Sequence, residues 1–521
     1  MATFSLNGNQ VDAPDGMNLI EAAALNGVTI PHYCYHPGLS VAGNCRMCLC
    51  EVEGARGPQI ACSQNVKDGM VVRTDTPAVE KMRKGVQEFL LLNHPIDCPI
   101  CDQAGECRLQ DYYMEYGKYE NRSDVSKVQK EKAMDIGPMV ILDQERCILC
   151  TRCVRFTDEI SKSHELIVSG RGDMSAIETF PGTLLDNPYS GNVVDVCPVG
   201  ALTSKDFRFK MRVWFMQSNK SVCTGCSNGC NVFLDHKDGV TYRYRPRENQ
   251  QVNDYWMCDA GRLSYKALND GRLEHVMLRG VPTTVGDAMK EASSLFQGSR
   301  PEGAVAVVGS PFASVEENFA LLQLAKALKT DRAFGWNPTP DGFADDFLIK
   351  ADKTPNRTGV RWLGFNDDRQ ALLDYLTSGS AQVLVILGND LAADPAFAEA
   401  LKKVGTIIYL GSHVNATAGL ATFVFPSASH AEKYGSFMNH QGRIQRFYRA
   451  YDAAGNAAEE LRLLSHLGGT VDQAFDYTDV EDVWADLRAR YSELGDLSWY
   501  GIGDEGFQVP SLVREPAAAA T

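Results

Sequence analysis

The chain has 521 residues, a formal net charge of −15 and a hydrophobic content of 44%. This length exceeds one ordinary domain, so three or four domains are expected. The acidic charge argues against a nucleic-acid-binding surface, and no run approaches the roughly eighteen apolar residues that a membrane-spanning helix needs.

The cysteines are confined to one half of the chain. All sixteen lie between Cys34 and Cys258. The N-terminal sequence MATFSLNGNQVDAPDG has neither the basic start and apolar core of a signal peptide nor the arginines of a transit peptide. A reducing compartment is therefore expected, where clustered cysteines are usually metal ligands rather than disulfides.

The chain opens with the pattern of a small β-rich domain. Residues 3–6 predict a strand, Asn7-Gly8 a turn, and residues 49–52 and 70–72 later strands. Between them, Asn18 is placed to cap a helix that ends near Gly27.

This region carries the first cysteine set, which consists of Cys34, Cys45, Cys48 and Cys62. Four thiolates are what a binuclear iron-sulfur cluster requires. Ten residues precede the Cys-x-x-Cys pair, where plant-type ferredoxins have about four. A closed zinc site would use the same ligands, so the motif alone favours iron-sulfur and leaves zinc open.

A helix is predicted from Pro77, with Thr76 as its N-cap and apolar residues at three- and four-residue spacings. It leads to the second set, in NHPIDCPICDQAGEC, which consists of His94, Cys98, Cys101 and Cys107. A lone histidine is more often structural than a ligand, but three close cysteines follow this one. An imidazole in place of a thiolate would raise a cluster's reduction potential.

The third set begins as a run of Cys147, Cys150 and Cys153 at two-residue gaps, like that of bacterial ferredoxins. The run lacks its fourth cysteine and proline, but Cys197-Pro198 follows after forty-three residues. Because the cysteine before proline ligates the other cluster in two-cluster ferredoxins, this combination retains one complete tetranuclear site. A zinc site has no reason to pair a triple run with a distant Cys-Pro.

The fourth set consists of Cys223, Cys226, Cys230 and, after twenty-seven residues, Cys258. Cys50 belongs to no set and is interpreted as a small buried apolar residue. Four potential metal sites within about 225 residues are more than a purely structural role would require. The arrangement therefore predicts a chain of redox centres.

Beyond about Arg262 the pattern changes to apolar runs separated by helices. The runs at 304–308, 383–387, 406–410 and 423–425 are typical of buried parallel strands. Ser314 and Glu317 form a capping box that predicts a helix between the first two runs. A doubly wound α/β domain is therefore expected.

Several segments closely resemble the large iron-sulfur subunit family of bacterial NADH:quinone oxidoreductase, which is respiratory complex I. They are HYCYHPGLSVAGNCRMCLCEVEG, LLNHPIDCPICDQAGECRLQD, RCILCTRCVRF and SGNVVDVCPVGALTSK. The resemblance implies one 2Fe-2S cluster on the first set and a 4Fe-4S cluster on each of the second and third. The fourth set resembles an additional 4Fe-4S cluster that only some bacterial members carry, off the main electron path.

The C-terminal half resembles a molybdopterin-oxidoreductase-type domain, most clearly in VFPSASHAEKYGSFMNHQGRIQ. No cysteine follows Cys258 to ligate molybdenum, and the half is short for a fold that encloses a large cofactor. We therefore expect no molybdopterin, with Glu432, Asn439 and Arg443 structural.

The fold class implied is multidomain α/β, with five predicted domains in order. They are a β-grasp 2Fe-2S ferredoxin-like domain (1–78), a 4Fe-4S segment with one histidine and three cysteine ligands (79–120), a bacterial-ferredoxin-like 4Fe-4S domain (121–215), a 4Fe-4S molybdopterin-oxidoreductase-type domain (216–272) and a shortened, cofactor-free molybdopterin-oxidoreductase-like domain (273–521).

The predicted function is electron relay from a flavin-bearing, NADH-oxidising partner toward quinone-side iron-sulfur subunits. The chain has no P-loop and no dinucleotide-binding glycine motif after residues 304–308, so NADH and quinone sites are expected on partners. Membrane association through partners would place it peripherally on the cytoplasmic face of the bacterial inner membrane. The alternatives are an iron-sulfur subunit of a formate dehydrogenase or hydrogenase-diaphorase complex, or a zinc-stapled scaffold.

Overall fold

In the computed structural model, which describes residues 1–297, 301, 303–469 and 475–513, the chain divides into two units, residues 1–216 and residues from 217 onward. The strands of unit 1 are β1 Ala2–Leu6, β2 Asn9–Ala13, β3 Leu49–Val52, β4 Gln59–Ile60, β5 Val71–Arg73, β6 Met134–Asp135, β7 Val140–Leu142, β8 Leu166–Ser169, β9 Ala176–Thr179 and β10 Leu202–Ser204. Its helices are α1 Leu19–Leu25, α2 Pro77–Asn93, α3 Arg108–Tyr116, α4 Arg152–Arg155 and α5 Asn192–Val196.

The first domain of unit 1 is a five-stranded mixed sheet in the order β2-β1-β5-β3-β4, in which only β1 and β5 pair in parallel. Alternation along β1 buries Phe4 and Leu6, which share an apolar core with Leu19 and Ile20 of α1. The Asn18 side chain caps α1, as predicted, by accepting from the Ile20 N–H at 3.0 Å. The β-rich prediction for this region is confirmed.

The second predicted helix is also present. The Thr76 hydroxyl accepts from the Val79 N–H at 3.2 Å and begins α2. After α2, β10, β7 and β6 form a small antiparallel sheet. The helix α4 continues directly into one π-helical turn at Phe156–Ile160.

Unit 2 contains the remaining elements. Its strands are β11 Gln217–Val222, β12 Asn231–Lys237, β13 Val240–Pro246, β14 Met277–Leu278, β15 Val281–Pro282, β16 Val305–Val308, β17 Ala333–Phe334, β18 Val383–Leu387, β19 Thr406–Gly411, β20 Phe423–Pro426, β21 Gly435–Met438, β22 Arg443–Phe447 and β23 Phe507–Gln508. Its helices are α6 Asp259–Leu263, α7 Lys266–Asn269, α8 Val285–Ser294, α9 Val315–Ala327, α10 Arg357–Leu363, α11 Arg369–Thr377, α12 Pro395–Leu401, α13 Ala416–Leu420, α14 Glu460–Gly468 and α15 Val480–Arg490.

The centre of unit 2 is a seven-stranded sheet in the order β15-β14-β20-β19-β18-β16-β17. The four apolar runs form its parallel strands β16, β18, β19 and β20, as predicted. Val305 and Val307 belong to the core on one face, while Ala306 and Val308 belong to the core on the other. Helices therefore cover both faces, which confirms the doubly wound prediction.

Two smaller antiparallel sheets complete unit 2. One is formed by β11, β12 and β13, and the other by β21, β22 and β23. The capping box predicted at Ser314 and Glu317 is present at the start of α9. No helix in the described part of the chain has the length and apolarity needed to cross a membrane.

Candidate iron-sulfur sites

The four thiols of the first set converge in unit 1. The loop between α1 and β3 supplies Cys34, Cys45 and Cys48, and a turn after β4 supplies Cys62. Hydrogen bonds donated by the Cys45 and Cys62 thiols lower the pKa of Cys34, and Cys62 likewise lowers the pKa of Cys48. The same bonds raise the pKa of both donors.

In the second set, the three thiols interact electrostatically with one another. Burial is the main cause that raises the pKa of Cys107 to about 11. Gly200 leaves room for this set, because a Cβ atom there would lie 2.3 Å from the Cys101 sulfur. The close approach explains a glycine that sequence analysis did not single out.

His94 lies at the C-terminal end of α2. Burial lowers its pKa to about 4, so the imidazole is neutral at pH 7, the form that binds metals. Its Nδ1 atom is buried without a hydrogen-bond partner among the described residues. The Arg146 charge acts on both His94 and Cys101, which places both beside one guanidinium.

The third set lines one enclosed cavity together with apolar side chains. All four thiols face it, with walls that include Leu142, Ile177 and Leu202. Burial raises the pKa of Cys147 to about 12 and that of Cys150 to about 11. Thiols set among apolar walls are surroundings of the kind on which the net charge and potential of an iron-sulfur cluster depend.

The fourth set lies in unit 2, between β11 and β12 and at the start of α6. The Gly261 N–H donates to the Cys258 sulfur at 3.3 Å, and the Asn228 side chain donates to the Cys230 sulfur at 3.1 Å. Such donors stabilise thiolate and tune a cluster. Sequence analysis missed Asn228, although a side-chain amide inside a cysteine run is a signal for this role.

Three arginines around the third set were also missed. Arg146 makes two hydrogen bonds to Asp97, at 3.0 and 2.6 Å, and so joins the third-set loop to the second. Arg152 and Arg155 donate to carbonyls of the first-set loop. One apolar cluster built around Tyr33 and Leu109 packs against cysteines of all three sets in unit 1.

No group of three or more His, Cys, Asp or Glu side chains in the described ranges has the geometry of a single-ion site.

In the C-terminal half, Glu432 forms a bidentate pair with Arg272, at 2.9 and 2.6 Å. The Asn439 oxygen accepts from the Gln441 and Arg443 N–H groups. These bonds fit the structural roles predicted for this segment. A cavity of about 380 Å³ lies near the carboxyl ends of β18 and β19, beside Lys433 and Glu460.

Family models match along the chain in the predicted domain order. They are the 2Fe-2S iron-sulfur cluster binding domain at 1–77, the NADH-ubiquinone oxidoreductase-G iron-sulfur binding region at 83–122, the NADH-quinone oxidoreductase subunit 3 ferredoxin-like domain at 137–203, the molybdopterin oxidoreductase Fe4S4 domain at 216–270 and molybdopterin oxidoreductase at 288–469.

The G subunit of NADH-quinone oxidoreductase from Rickettsia prowazekii is 39% identical over an alignment that covers 100% of this chain and 94% of the relative. The chain belongs to this G-subunit family. The resemblance and the fold class predicted from the sequence are thereby confirmed, and the predicted electron-transfer role agrees with the family's name.

A second G-subunit relative, from Rickettsia conorii, is 40% identical over 63% of this chain, but the aligned part spans only 49% of that relative. Among solved structures, one titled "Crystal structure of NAD+-reducing [NiFe]-hydrogenase in the H2-reduced state" is 30% identical. It covers 41% of this chain and 91% of that chain with a TM-score of 0.36, too low to establish a common fold.

Proposed function

We propose that this chain is the electron-relay subunit of an NADH:quinone oxidoreductase. It takes electrons from a flavin-bearing, NADH-oxidising partner and passes them to quinone-side iron-sulfur subunits of the same complex. The observation that carries the proposal is the convergence of four cysteine-rich ligand sets within residues 34–258 of a member of the G-subunit family.

The proposed ligands follow the four sets. The first set, Cys34, Cys45, Cys48 and Cys62, holds a 2Fe-2S cluster. Three 4Fe-4S clusters are held by His94, Cys98, Cys101 and Cys107, by Cys147, Cys150, Cys153 and Cys197, and by Cys223, Cys226, Cys230 and Cys258. When bound, these clusters supply reversible one-electron redox chemistry.

The residues around each set fit this role. The first set includes hydrogen bonds between thiols, and the third set lines an apolar cavity. In the second set the half-buried, neutral His94 imidazole supplies the uncharged ligand. The N–H groups near the fourth set point at sulfur. Domain boundaries at 78, 120, 215 and 272 remain part of the proposal.

Partners and location follow from the same proposal. NADH oxidation and quinone reduction take place on other subunits, and those subunits hold the chain peripherally on the cytoplasmic face of the bacterial inner membrane. The C-terminal domain is proposed to act as a scaffold without molybdopterin.

The decisive experiment is iron, zinc, molybdenum and acid-labile sulfide analysis of anaerobically purified protein, with low-temperature EPR during stepwise reduction. About fourteen irons per chain, with both binuclear and tetranuclear signals, are expected. About four zinc ions without sulfide would overturn the proposal, and stoichiometric molybdenum would favour a formate dehydrogenase.

The fourth set needs a separate experiment, because it lies in unit 2 while the other three lie in unit 1. Cys226→Ser in the assembled complex, followed by NADH-driven quinone reduction, asks whether electrons must pass through it. Retained turnover would exclude an obligatory relay role for this site.

A further inference from the structure

One arginine contacts the backbone of two proposed ligand sets. The Arg155 guanidinium donates to the Cys34 carbonyl at 2.6 Å and to the Cys150 carbonyl at 3.3 Å. It also donates to the carbonyl of Ser40. Cys34 belongs to the first set and Cys150 to the third. The planar guanidinium, called the fork below because its N–H donors point in fixed directions, therefore joins the two ligand loops.

Neighbouring contacts join the same two segments. Arg152, which is buried, donates to the Tyr35 carbonyl of the first-set loop and to the Val196 carbonyl beside Cys197, the latter at 3.1 Å. The Glu159 carboxylate accepts from the Ser40 N–H at 2.8 Å. The first-set loop is therefore docked on α4 and the π-helical turn that follows it. Such turns are frequent at functional sites.

The Arg155 side chain is partly shielded from solvent by these loops. A guanidinium stays protonated in proteins, and a partly buried charge is screened less than an exposed one. A reduced cluster carries one more negative charge than its oxidised form. A fixed positive charge beside both ligand loops therefore favours reduction at both sites.

We infer that Arg155 is a positioning residue for electron transfer between the first and third sets. Its fork holds the two ligand loops together, and its charge raises the reduction potentials of the clusters bound there. The inference rests on the proposed function. The step it serves moves one electron between the two sites, so that one is oxidised as the other is reduced, without proton transfer or bond formation.

The test uses the full chain in its complex, purified anaerobically, with three variants. Arg155→Gln removes the charge and most of the fork, while Arg155→Lys keeps the charge but cannot hold the same set of carbonyls. Arg122→Gln is the matched control, because it removes a guanidinium from unit 1 whose partner is Glu88 near the surface. The readouts are iron and sulfide content, EPR midpoint potentials, and the rate at which electrons equilibrate between the two signals in freeze-quench samples after mixing with NADH.

For Arg155→Gln we expect both midpoint potentials to fall by about 59 mV, which corresponds to a change of about tenfold in the one-electron equilibrium constant. For Arg155→Lys we expect near-normal potentials but equilibration slowed about tenfold. Arg122→Gln should change neither quantity. Arg155 variants that hold both clusters with unchanged potentials and rates would overturn the inference.

Cluster loss in the variants is also informative. Loss of the first- and third-set clusters alone, with the others retained, would support the positioning role. Loss of all four would count against it, because Arg155 would then be a general folding residue. A wild-type protein without iron or sulfide would instead overturn the proposed function, which separates the two failures.

Discussion

Lys433 offers a sharp test of how unit 2 is stabilised. Its ammonium lies 2.5 Å from Glu317 of α9 and 2.7 Å from Glu460 of α14, and all three side chains are buried. Burial, followed by the Glu317 charge, raises the pKa of Glu460 to about 8. At pH 7 the group is therefore a Lys433–Glu317 ion pair with a mostly protonated Glu460.

Lys433→Met leaves the Glu317 carboxylate buried without its counter-charge. Removing one partner of a buried ion pair costs about 3–5 kcal/mol. Glu460→Gln, the matched control, mimics the protonated acid without the free-energy cost of keeping a proton at pH 7, so it should leave unit 2 at least as stable as the wild type.

The control also carries a pH prediction. Between pH 4.5 and about 8, folded Glu460 holds a proton that the unfolded chain has lost, so rising pH favours unfolding. The wild type should lose up to about 1.4 kcal/mol per pH unit across this window, and Glu460→Gln should remove that slope.

Hydrogen exchange of α9 and α14 in the intact chain measures the local free energy of opening. We expect exchange roughly a hundredfold faster or more in Lys433→Met, since each 1.4 kcal/mol corresponds to about tenfold. Exchange within about threefold of wild type, or equal damage from Glu460→Gln, would refute the reasoning.

Three further substitutions test other parts of the chain. Gly200→Ala places a Cβ 2.3 Å from the Cys101 sulfur, so iron analysis should show loss of the second-set cluster, about four irons. Trp484→Phe removes a 2.8 Å bond to buried Glu316, and hydrogen exchange of α15 should show about 1–3 kcal/mol less stability. Cys50→Ala should leave iron content and EPR signals unchanged; loss of the binuclear signal would contradict the ligand assignment.

Sequence patterns predicted the elements whose causes are local. The caps at Asn18 and Thr76 and the capping box at Ser314 depend on residues two or three positions apart. The four apolar runs became parallel strands because continuous burial leaves few alternatives. The spacing of the proposed ligands could also be recognised, because most ligands of each set lie close together in the sequence.

Interactions between distant residues were not predictable in this way. Arg152 and Arg155 bond to carbonyls more than one hundred positions away, and no periodicity encodes such a pairing. Two-residue strands such as Met277–Leu278 are too short to show alternation, so their place beside β20 depends on the folded sheet. The basic residues within RCILCTRCVRF were the available signal for the arginine contacts.

The backbone between the third-set cysteines bears on how the protein is assembled. Leu149 and Thr151 have φ angles of 52° and 61°, a left-handed conformation that costs a non-glycine residue about 1–2 kcal/mol. A newly synthesised segment relaxes out of this conformation unless surrounding packing holds it. If the proposed cluster binds to residues 147–153, we therefore expect its assembly to follow completion of the fold around this segment.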